Sequence, residues 1–398
     1  MISLQLIFKS MLRRKVVTSL LLVQLALTLA LLSNSSLLAL QTWEQLRQPT
    51  GLDLDHILYV SLKPTSKNLQ EYPAFADLLE RQLAAVRQMP GVAAVSHTNQ
   101  SPLVTGGSNG NVNDENDRDR SNVSTVPQYT VSPDFLQVLQ LDVLEGEIPQ
   151  TVQAWDGDAA IPVVLTKSLA ERVFPGKSAI GQMTNAGPVA AVIEDFYGQR
   201  SAERVMYNRI QIAQIYGVAW GYGIILRVEP GNTEQIRSQL PDVLKTVDPN
   251  IEVFSVRTMD EQLHRMYRNE FGLATLLAVL SGLMLLVSMI SSYSNAHFNA
   301  LKRQQEIGIK RALGASKQGI LLEMLTENWC TTVAGAGIGI VAAWLLNQAL
   351  ALVISIPALP VWLPLTALLM LMLCVTLATW YPARIATQVS PATATKTL

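Results

Sequence analysis

Charged residues are distributed unevenly along this chain of 398 residues. Three long segments, 16–43, 271–301 and 328–383, contain no Asp, Glu, Lys or Arg. A helix needs about 20 mostly apolar residues to cross about 30 Å of hydrocarbon. Each of the first two segments is therefore long enough for one membrane-spanning helix. The third has 56 residues and is long enough for two.

Prolines divide the third segment near its middle, which reads SIPALPVWLP. Because proline lacks a backbone donor and clashes with the preceding turn, a hairpin falls most naturally at Pro357, Pro360 and Pro364. The sequence therefore predicts an α-helical membrane protein with four transmembrane helices. The predicted spans lie near 17–40, 271–298, 329–355 and 363–381.

Basic residues lie on one side of the spans. Four precede the first span, five lie between the second and third, and two follow the fourth, whereas the 355–362 hairpin has none. Because Lys and Arg mark cytoplasmic loops, both termini and the 299–327 loop are predicted to be cytoplasmic. Residues 43–270, with 28 acidic and 19 basic residues, are then outside. The first span is too long for a secretory signal and is expected to remain as an anchor.

The outer segment has the patterning of a globular α+β domain. HILYVSL predicts a strand, 72–88 has helical spacing, and MPGVAAVS predicts another strand. The pattern returns near the end as GIILRVEP, a helix over 233–247, and DPNIEVFSV. We predict that these two β-α-β units pair into one split α+β layer that carries roughly 100–215 as an insert. The polar run TGGSNGNVNDENDRDRSN at the start of the insert predicts a mobile loop.

Motifs for catalysis or metal binding are incomplete. FPGKSAIG ends like a phosphate-binding loop, but Glu171 stands where that motif requires a glycine. The acidic run that begins at Asp114 lacks the glycine and glutamate of an EF-hand loop. The four histidines are scattered, both cysteines lie in predicted spans, and no basic strip suits nucleic acid. These patterns favour a non-catalytic chain that binds no cofactor, metal or nucleic acid itself.

The loop after the second span reads LKRQQEIGIKRALGASKQGILLEMLTEN. Residues 302–313 are predicted to prolong the second span as a helix that stops at Gly314. Ser316 is predicted to cap a second, amphipathic helix, so that two short helices form a rigid knob at a sharp corner. A basic loop held at anionic lipid headgroups is the simpler alternative. The apolar residues that share a face of the second helix are Ile320, Leu321, Met324 and Leu325.

EIGIKRALGAS closely resembles the signature of the MacB/FtsX superfamily of ABC transporter permeases. Other segments resemble that family in the same order along the chain. Two positions depart from its pattern: Thr166 stands where asparagine is usual, and Glu147 where arginine is common. The further matching segments are VSPDFLQVLQLDVLEGEIP, PVVLTKSLAERVFPGKSAIGQ, VAAVIEDF and YPARIATQVSPATA.

The resemblance implies an inner-membrane permease subunit without a fused ATPase, working as a dimer with two copies of a separate ATPase that binds ATP and Mg. It implies an anchor segment 1–42, a MacB-like periplasmic domain 43–270 and an FtsX-like domain 271–398. The coupling loop 299–327 would seat in a groove of the ATPase. The residues implied to make this contact are Glu306, Ile307, Gly308, Lys310, Arg311, Leu313, Gly314 and Ala315.

Two further features lie within the predicted spans. Gly335 and Gly339 form a GxxxG motif, and small residues let helix backbones approach closely in lipid. The motif therefore predicts helix packing, either within one protomer or between protomers. Asn34 lies among three serines at the outer end of the first span and is predicted to be hydrated.

The resemblance implies mechanotransmission, in which closure of the ATPases moves the loops and the helices relay the motion to the outer domains. Efflux of a small molecule or peptide is the expected function. A periplasmic adaptor and an outer-membrane duct would be the partners in a Gram-negative cell. Release of lipoproteins and FtsX-like control of a cell-wall hydrolase are the alternatives, and the dimer can pair two copies or two related chains.

Overall fold

The computed structural model describes residues 15–152, 160–215, 218, 221–352 and 356–388. The chain divides into two compact units, a helical unit of Met1–Gln45 with Asn269–Leu398 and an outer unit of Leu46–Arg268. Three predicted features lie outside the described residues. These are the basic segment before residue 15, the end of the third predicted span at 353–355, and the end of the terminal family motif beyond 388.

The secondary structure alternates between long helices and a sheet-forming region. The helices are α1 (Lys15–Arg47), α2 (Ala74–Arg87), α3 (Arg118–Ser121), α4 (Phe135–Leu139), α5 (Lys167–Val173), α6 (Thr233–Val247), α7 (Met259–Met266), α8 (Arg268–Lys302), α9 (Gln304–Ala312), α10 (Lys317–Ala351) and α11 (Trp362–Ala386). The strands are β1 (Ile57–Pro64), β2 (Val92–Thr98), β3 (Asn109–Val112), β4 (Val123–Val131), β5 (Val143–Gly146), β6 (Val163–Thr166), β7 (Met183–Thr184), β8 (Gly187–Ile193), β9 (Arg209–Ile212), β10 (Tyr222–Val228) and β11 (Ile251–Thr258).

Four helices of the helical unit, α1, α8, α10 and α11, are long and apolar enough to cross a membrane. The four predicted spans are therefore confirmed, but their bounds differ. The third helix begins at Lys317 rather than near 329, because the hydroxyl of Ser316 accepts a hydrogen bond from the Gly319 amide (3.1 Å) and starts the helix there. The segments without charged residues show which part of each helix lies in the hydrocarbon. They do not show where the helix ends, because a capped helix can extend beyond the hydrocarbon into water.

Polar side chains inside the helical unit bind other helices. Asn34 is buried, and its Nδ2 donates to the Ala30 carbonyl (2.9 Å) and to the Ala343 carbonyl of α10 (3.0 Å). The prediction that Asn34 is hydrated is therefore wrong. A buried side-chain amide needs a hydrogen-bond partner, and here the Ala343 carbonyl of α10 supplies one. The sequence of the first span could not show this, because it does not reveal that α10 packs beside Asn34.

The outer unit is built on one mixed sheet with the strand order β11-β1-β10-β2-β4-β9-β6-β8-β5. The first four strands are antiparallel neighbours, and they come alternately from the two ends of the unit. The two predicted β-α-β units thus interleave into one layer, as expected. Helices α2 and α6 cover it and bury a shared apolar cluster that includes Leu58, Leu78, Leu226 and Leu240.

The insert extends the same sheet. Strand β4 pairs with β2 on one side and in parallel with β9 on the other. The prediction of a mobile loop at the start of the insert is wrong, because Asn109–Val112 forms β3 and pairs with β4. Val112 is fully buried with Val123 and Val126. The buried Val112 and the backbone pairing with β4 together anchor this strand.

The two family segments in the insert contribute structural side chains. Thr166, which replaces the usual asparagine, is fully buried and donates its hydroxyl hydrogen to the Met206 carbonyl (2.8 Å). The carboxylate of Asp195 accepts hydrogen bonds from the Ser168 amide (2.9 Å) and the Ser168 hydroxyl. Phe196 is fully buried in the core beside it. These contacts hold the ends of β6 and β8 together.

The buried His97 of β2 makes the outer unit sensitive to acid. Burial lowers its pKa to about 4, although Nε2 lies 3.3 Å from the Ala213 carbonyl, a contact that acts in the opposite direction. Between pH 6.5 and 4 the unfolded chain therefore binds more protons at this position than the folded chain. The free energy of unfolding therefore does not depend on His97 above pH 6.5, and it falls by about 3 kcal/mol as the pH drops to 4 and the unfolded chain takes up a proton at His97.

We expect this loss to disappear in His97→Gln. Urea unfolding of the full chain at pH 7 and at pH 4.5 measures it, with His264→Gln, on an exposed side chain, as the control. Parallel pH profiles for the wild type and His97→Gln would show that His97 does not titrate on unfolding.

Candidate functional site

A corner of three elements follows the second span. Helix α8 ends at Lys302, α9 covers Gln304–Ala312, and α10 begins at Lys317. The helix predicted over 302–313 is therefore present, but it does not continue α8. Arg303 leaves the helical conformation (φ −100°, ψ 10°), and its guanidinium pairs with Glu327 of α10, with Nη1 2.8 Å from Oε2. The pairing accompanies the break at Arg303.

The turn between α9 and α10 depends on Gly314, whose φ is +95°. The Gly314 amide donates to the Arg311 carbonyl (3.1 Å), and the Ala315 amide donates to the Lys310 carbonyl (2.9 Å). This closes the last turn of α9 as a left-handed glycine cap does, so the predicted stop and the Ser316 cap are confirmed. The second short helix is not separate, because its residues form the first turns of α10.

Two of the eight residues implied to contact an ATPase face inward. Ile307 and Gly308 are both buried. Ile307 packs with apolar side chains from α8, α10 and α11. The inward-facing position of Ile307 fixes the orientation of α9 by apolar burial. The cluster around it comprises Ala300, Ile320, Met324, Ala383 and Ala386.

The two basic residues of the motif are bound within the unit. Lys310 Nζ lies 2.7 Å from Glu323 Oε1 on α10, and Arg311 Nη1 donates to the Thr387 carbonyl beyond α11 (2.5 Å). An exposed ion pair contributes at most about 1 kcal/mol. Together, however, these contacts tie α9 to both helices that follow it, so Lys310 and Arg311 hold the shape of the corner.

The outer surface of the corner is apolar at its tip. Glu306, Leu313, Gly314 and Ala315 are exposed, and Leu313 is 83 % exposed. Ile309, which lies outside the predicted set, is 59 % exposed and four residues before Leu313. Residues at this spacing share a helix face, so the sequence did contain the signal for this pair. Ile309 and Leu313 thus form a small exposed apolar pair beside charged residues.

The GxxxG motif lies against α1 of the same chain. A β-carbon on Gly335 would come 2.9 Å from the Leu25 β-carbon, and one on Gly339 would come 2.9 Å from Leu29 Cδ2. A β-carbon on Gly337 would meet nothing within 4 Å. The two motif glycines therefore let α10 approach α1 closely, while Gly337 points elsewhere.

Among the described residues, no group of three or more His, Cys, Asp and Glu side chains is placed to hold a metal ion.

The described features define a multi-pass membrane protein with a large α+β domain between the first and second spans. Two family models match the chain. The MacB-like periplasmic core domain matches residues 20–243, more than half of the chain, and the FtsX-like permease C-terminal domain matches 278–391.

The chain belongs to the MacB/FtsX family of ABC transporter permeases. Membership of this family implies a place in the inner membrane. It is 27 % identical over 278 residues to the macrolide export ATP-binding/permease protein MacB of Salmonella typhimurium, covering 66 % of this chain and 42 % of that protein. The protein of the same name from Escherichia coli K12 is 26 % identical over 276 residues, with the same coverage. The chain thus spans about two fifths of the length of these relatives.

Two solved structures are similar to parts of the chain. The periplasmic region of MacB from Actinobacillus actinomycetemcomitans aligns with a TM-score of 0.33 and 12 % identity, over 55 % of this chain and 95 % of that structure. The extracellular domain of the noncanonic ABC-type transporter YknZ from Gram-positive bacteria aligns with a TM-score of 0.31 and 15 % identity, over 50 % of this chain and all of that domain.

Proposed function

We propose that this chain is the transmembrane subunit of an ATP-driven exporter, and that its corner 303–316 receives the motion of a separate ATPase subunit. The observation that carries the proposal is the construction of the corner. Its inner residues are packed or paired with α10 and α11, while Ile309 and Leu313 are left exposed at its tip. A rigid corner with apolar contact residues suits the transmission of motion from an ATPase to the helices, because the corner itself deforms little.

The orientation is part of the same proposal. The basic loop 299–327 and both termini are cytoplasmic by the excess of Lys and Arg on that side, and the outer unit is periplasmic. The permease works as a dimer with two ATPase subunits, which bind ATP and Mg. The exported substrate is a small molecule or peptide taken up outside the cytoplasm, with a periplasmic adaptor and an outer-membrane duct as further partners.

The contact is tested by Leu313→Ser, assayed by co-purification with the co-expressed ATPase in detergent. In the proposed contact Leu313 is the central anchor, and loss of such a hot-spot residue costs about 2 kcal/mol or more of binding free energy, so association should weaken at least about tenfold. Val361→Ser is the matched control. Val361 is 78 % exposed at the opposite hairpin, where no ATPase is expected to bind.

Equal recovery of the ATPase with both variants would contradict a contact at this corner. Once the complex is purified, compounds and peptides are screened for stimulation of ATP hydrolysis. Stimulation by a lipoprotein alone would redirect the proposal to lipoprotein release. No stimulation by any solute, together with activation of a cell-wall hydrolase, would replace export by mechanical regulation.

A further inference from the structure

A groove follows one edge of the outer unit's sheet. Strand β11 is the first strand in the sheet order, and in the described part of the chain it pairs only with β1. Ser255, Val256 and Arg257 of β11 all line the groove. Because successive side chains of a strand point to opposite faces, three consecutive residues can line one groove only along the strand's edge. The groove therefore lies on the side of β11 that faces away from β1.

Two helices from opposite faces of the sheet form the walls of the groove. Helix α6 packs through Leu240 in one apolar cluster with Leu58, whereas α7 packs through Leu263 in the other cluster with Tyr59. Leu58 and Tyr59 are successive residues of β1 and point to opposite faces. The groove has a volume of about 520 Å³. Small-molecule sites begin at roughly 300 Å³, so it has room for a small ligand. The helical residues that line it are Arg237 of α6 and Asp260, Glu261, His264 and Arg265 of α7.

The three arginines of the groove differ in their partners. Arg237 Nη1 lies 2.8 Å from Glu261 Oε1, so these two charges neutralise each other across the sheet edge. Neither Arg257 nor Arg265 forms a hydrogen bond or an ion pair with another described residue. Two of the guanidiniums that line the groove are therefore not paired with a carboxylate of the described chain.

These two guanidiniums lie close enough to repel each other. Burial lowers the pKa of Arg257, and the positive charge of Arg265 lowers it further. Arginine nevertheless stays protonated at neutral pH. Two like charges that line one groove raise the free energy of the folded chain, and an anion bound between them would remove this cost. Clusters of arginine are the usual means by which proteins bind phosphorylated ligands.

We propose that this groove binds a phosphate monoester, with Arg257 and Arg265 as its two cationic partners. Such a group carries close to two negative charges at neutral pH and has three acceptor oxygens. A carboxylate carries only one charge, so two guanidiniums match the phosphate better. The planar N–H pair of each guanidinium can bind two phosphate oxygens. The hydroxyl of Ser255, which also lines the groove, can donate to a third.

The phosphate can belong to a soluble ester or to a lipid headgroup. Along the chain, Arg265 is six residues before the charge-free segment 271–301, so the test includes a lipid. The proposal concerns the outer unit alone and does not depend on ATPase coupling.

The test is thermal unfolding of the full chain in an uncharged detergent at pH 7.5. The titrants are glycerol 3-phosphate, sodium acetate and dioctanoyl phosphatidic acid, and sodium chloride keeps the ionic strength constant. We expect a saturable rise of the unfolding midpoint with glycerol 3-phosphate, and a half-saturating concentration at least tenfold higher with acetate. A half-saturating concentration at least tenfold lower for phosphatidic acid than for glycerol 3-phosphate would assign the source as a lipid. Any smaller difference would assign it as a soluble ester.

Arginine variants locate the effect. Arg257→Gln and Arg265→Gln should each raise the half-saturating concentration of glycerol 3-phosphate and of phosphatidic acid about tenfold or more, because each removes charge-assisted hydrogen bonds. Arg265 is exposed, so its replacement should leave the protein folded and decides the question if the half-buried Arg257 cannot be replaced. Arg118→Gln is the matched control and should respond like the wild type. The Arg118 side chain is 67 % exposed and lies 3.6 Å from Glu115, away from the groove lining.

Asp260→Asn tests the same site in the opposite direction. The Asp260 carboxylate lines the groove, with Oδ1 3.7 Å from His264 Nε2. Its removal should strengthen anion binding and lower the half-saturating concentration about twofold or more. The proposal is overturned if glycerol 3-phosphate gives no saturable rise or if acetate is equally effective. It is also overturned if Arg265→Gln, in a folded protein, responds like the wild type.

Discussion

Replacing Gly339 with leucine is expected to prevent the helical unit from reaching its packed state. A β-carbon at this position would lie 2.9 Å from Leu29 Cδ2 and 3.1 Å from the Ala26 α-carbon. The Leu29 side chain could rotate away from the new β-carbon, but the backbone of Ala26 could not. Overpacking a core usually costs about 1–3 kcal/mol, and separation of two helices should exceed the upper end of that range.

Gly337→Leu provides the matched control, since it adds the same side chain to the same helix where nothing lies within 4 Å. Size-exclusion chromatography and the thermal unfolding midpoint in detergent distinguish the two variants. Gly339→Leu should aggregate or unfold at a much lower temperature, and Gly337→Leu should behave like the wild type. If both variants were equally stable, the inference that α10 packs closely against α1 at Gly339 would be wrong.

Under the proposed ATPase contact at the corner 303–316, replacing Gly314 with valine is expected to uncouple ATP hydrolysis from transport without removing any contact group. The glycine φ of +95° is unfavourable for a β-branched residue by about 1–3 kcal/mol. Beyond the two neighbouring residues of the chain, no described atom lies within 4 Å of the added β-carbon. The strain can therefore be relieved only by a change in the turn, which would move Leu313 and Ala315.

We expect substrate-dependent stimulation of the co-purified ATPase to fall about tenfold or more in Gly314→Val. Gly314→Asn is the matched control, because asparagine tolerates positive φ far better, and it should keep most of the stimulation. A valine variant that couples normally would show that the corner's shape does not matter. An asparagine variant as defective as the valine one would show that any side chain at 314 blocks the partner.

The four membrane-spanning helices were predictable because charge is excluded from hydrocarbon whatever the tertiary structure. The same reasoning could not give the helix ends, since the capped, charged start of α10 is as helical as its apolar middle. In the outer unit, alternation and helical spacing identified the strands and helices near both ends. The continuation of the sheet through the insert depends on long-range pairing, such as β4 with β9, which local patterns do not encode.

The candidate site was predictable as a segment but not as a surface. The family motif indicated the residues from Glu306 to Ala315. It did not show that Ile307 faces inward or that Arg311 binds the Thr387 carbonyl. Those roles depend on where α10 and α11 pack against α9.

Because α10 is one continuous helix from Lys317 to Ala351, its length sets how far the corner 303–316 stands from the lipid. Its 35 residues span about 52 Å at 1.5 Å per residue, whereas the hydrocarbon is about 30 Å thick. The charged residues Lys317, Glu323 and Glu327 all lie in its first three turns, so most of the excess length is at that end. Roughly 16 Å of helix then stands between the corner and the hydrocarbon boundary. A loop held at the headgroups would need no such extension of the helix. In the proposed function, this length of helix separates Leu313 from the headgroups and leaves it accessible to an ATPase subunit.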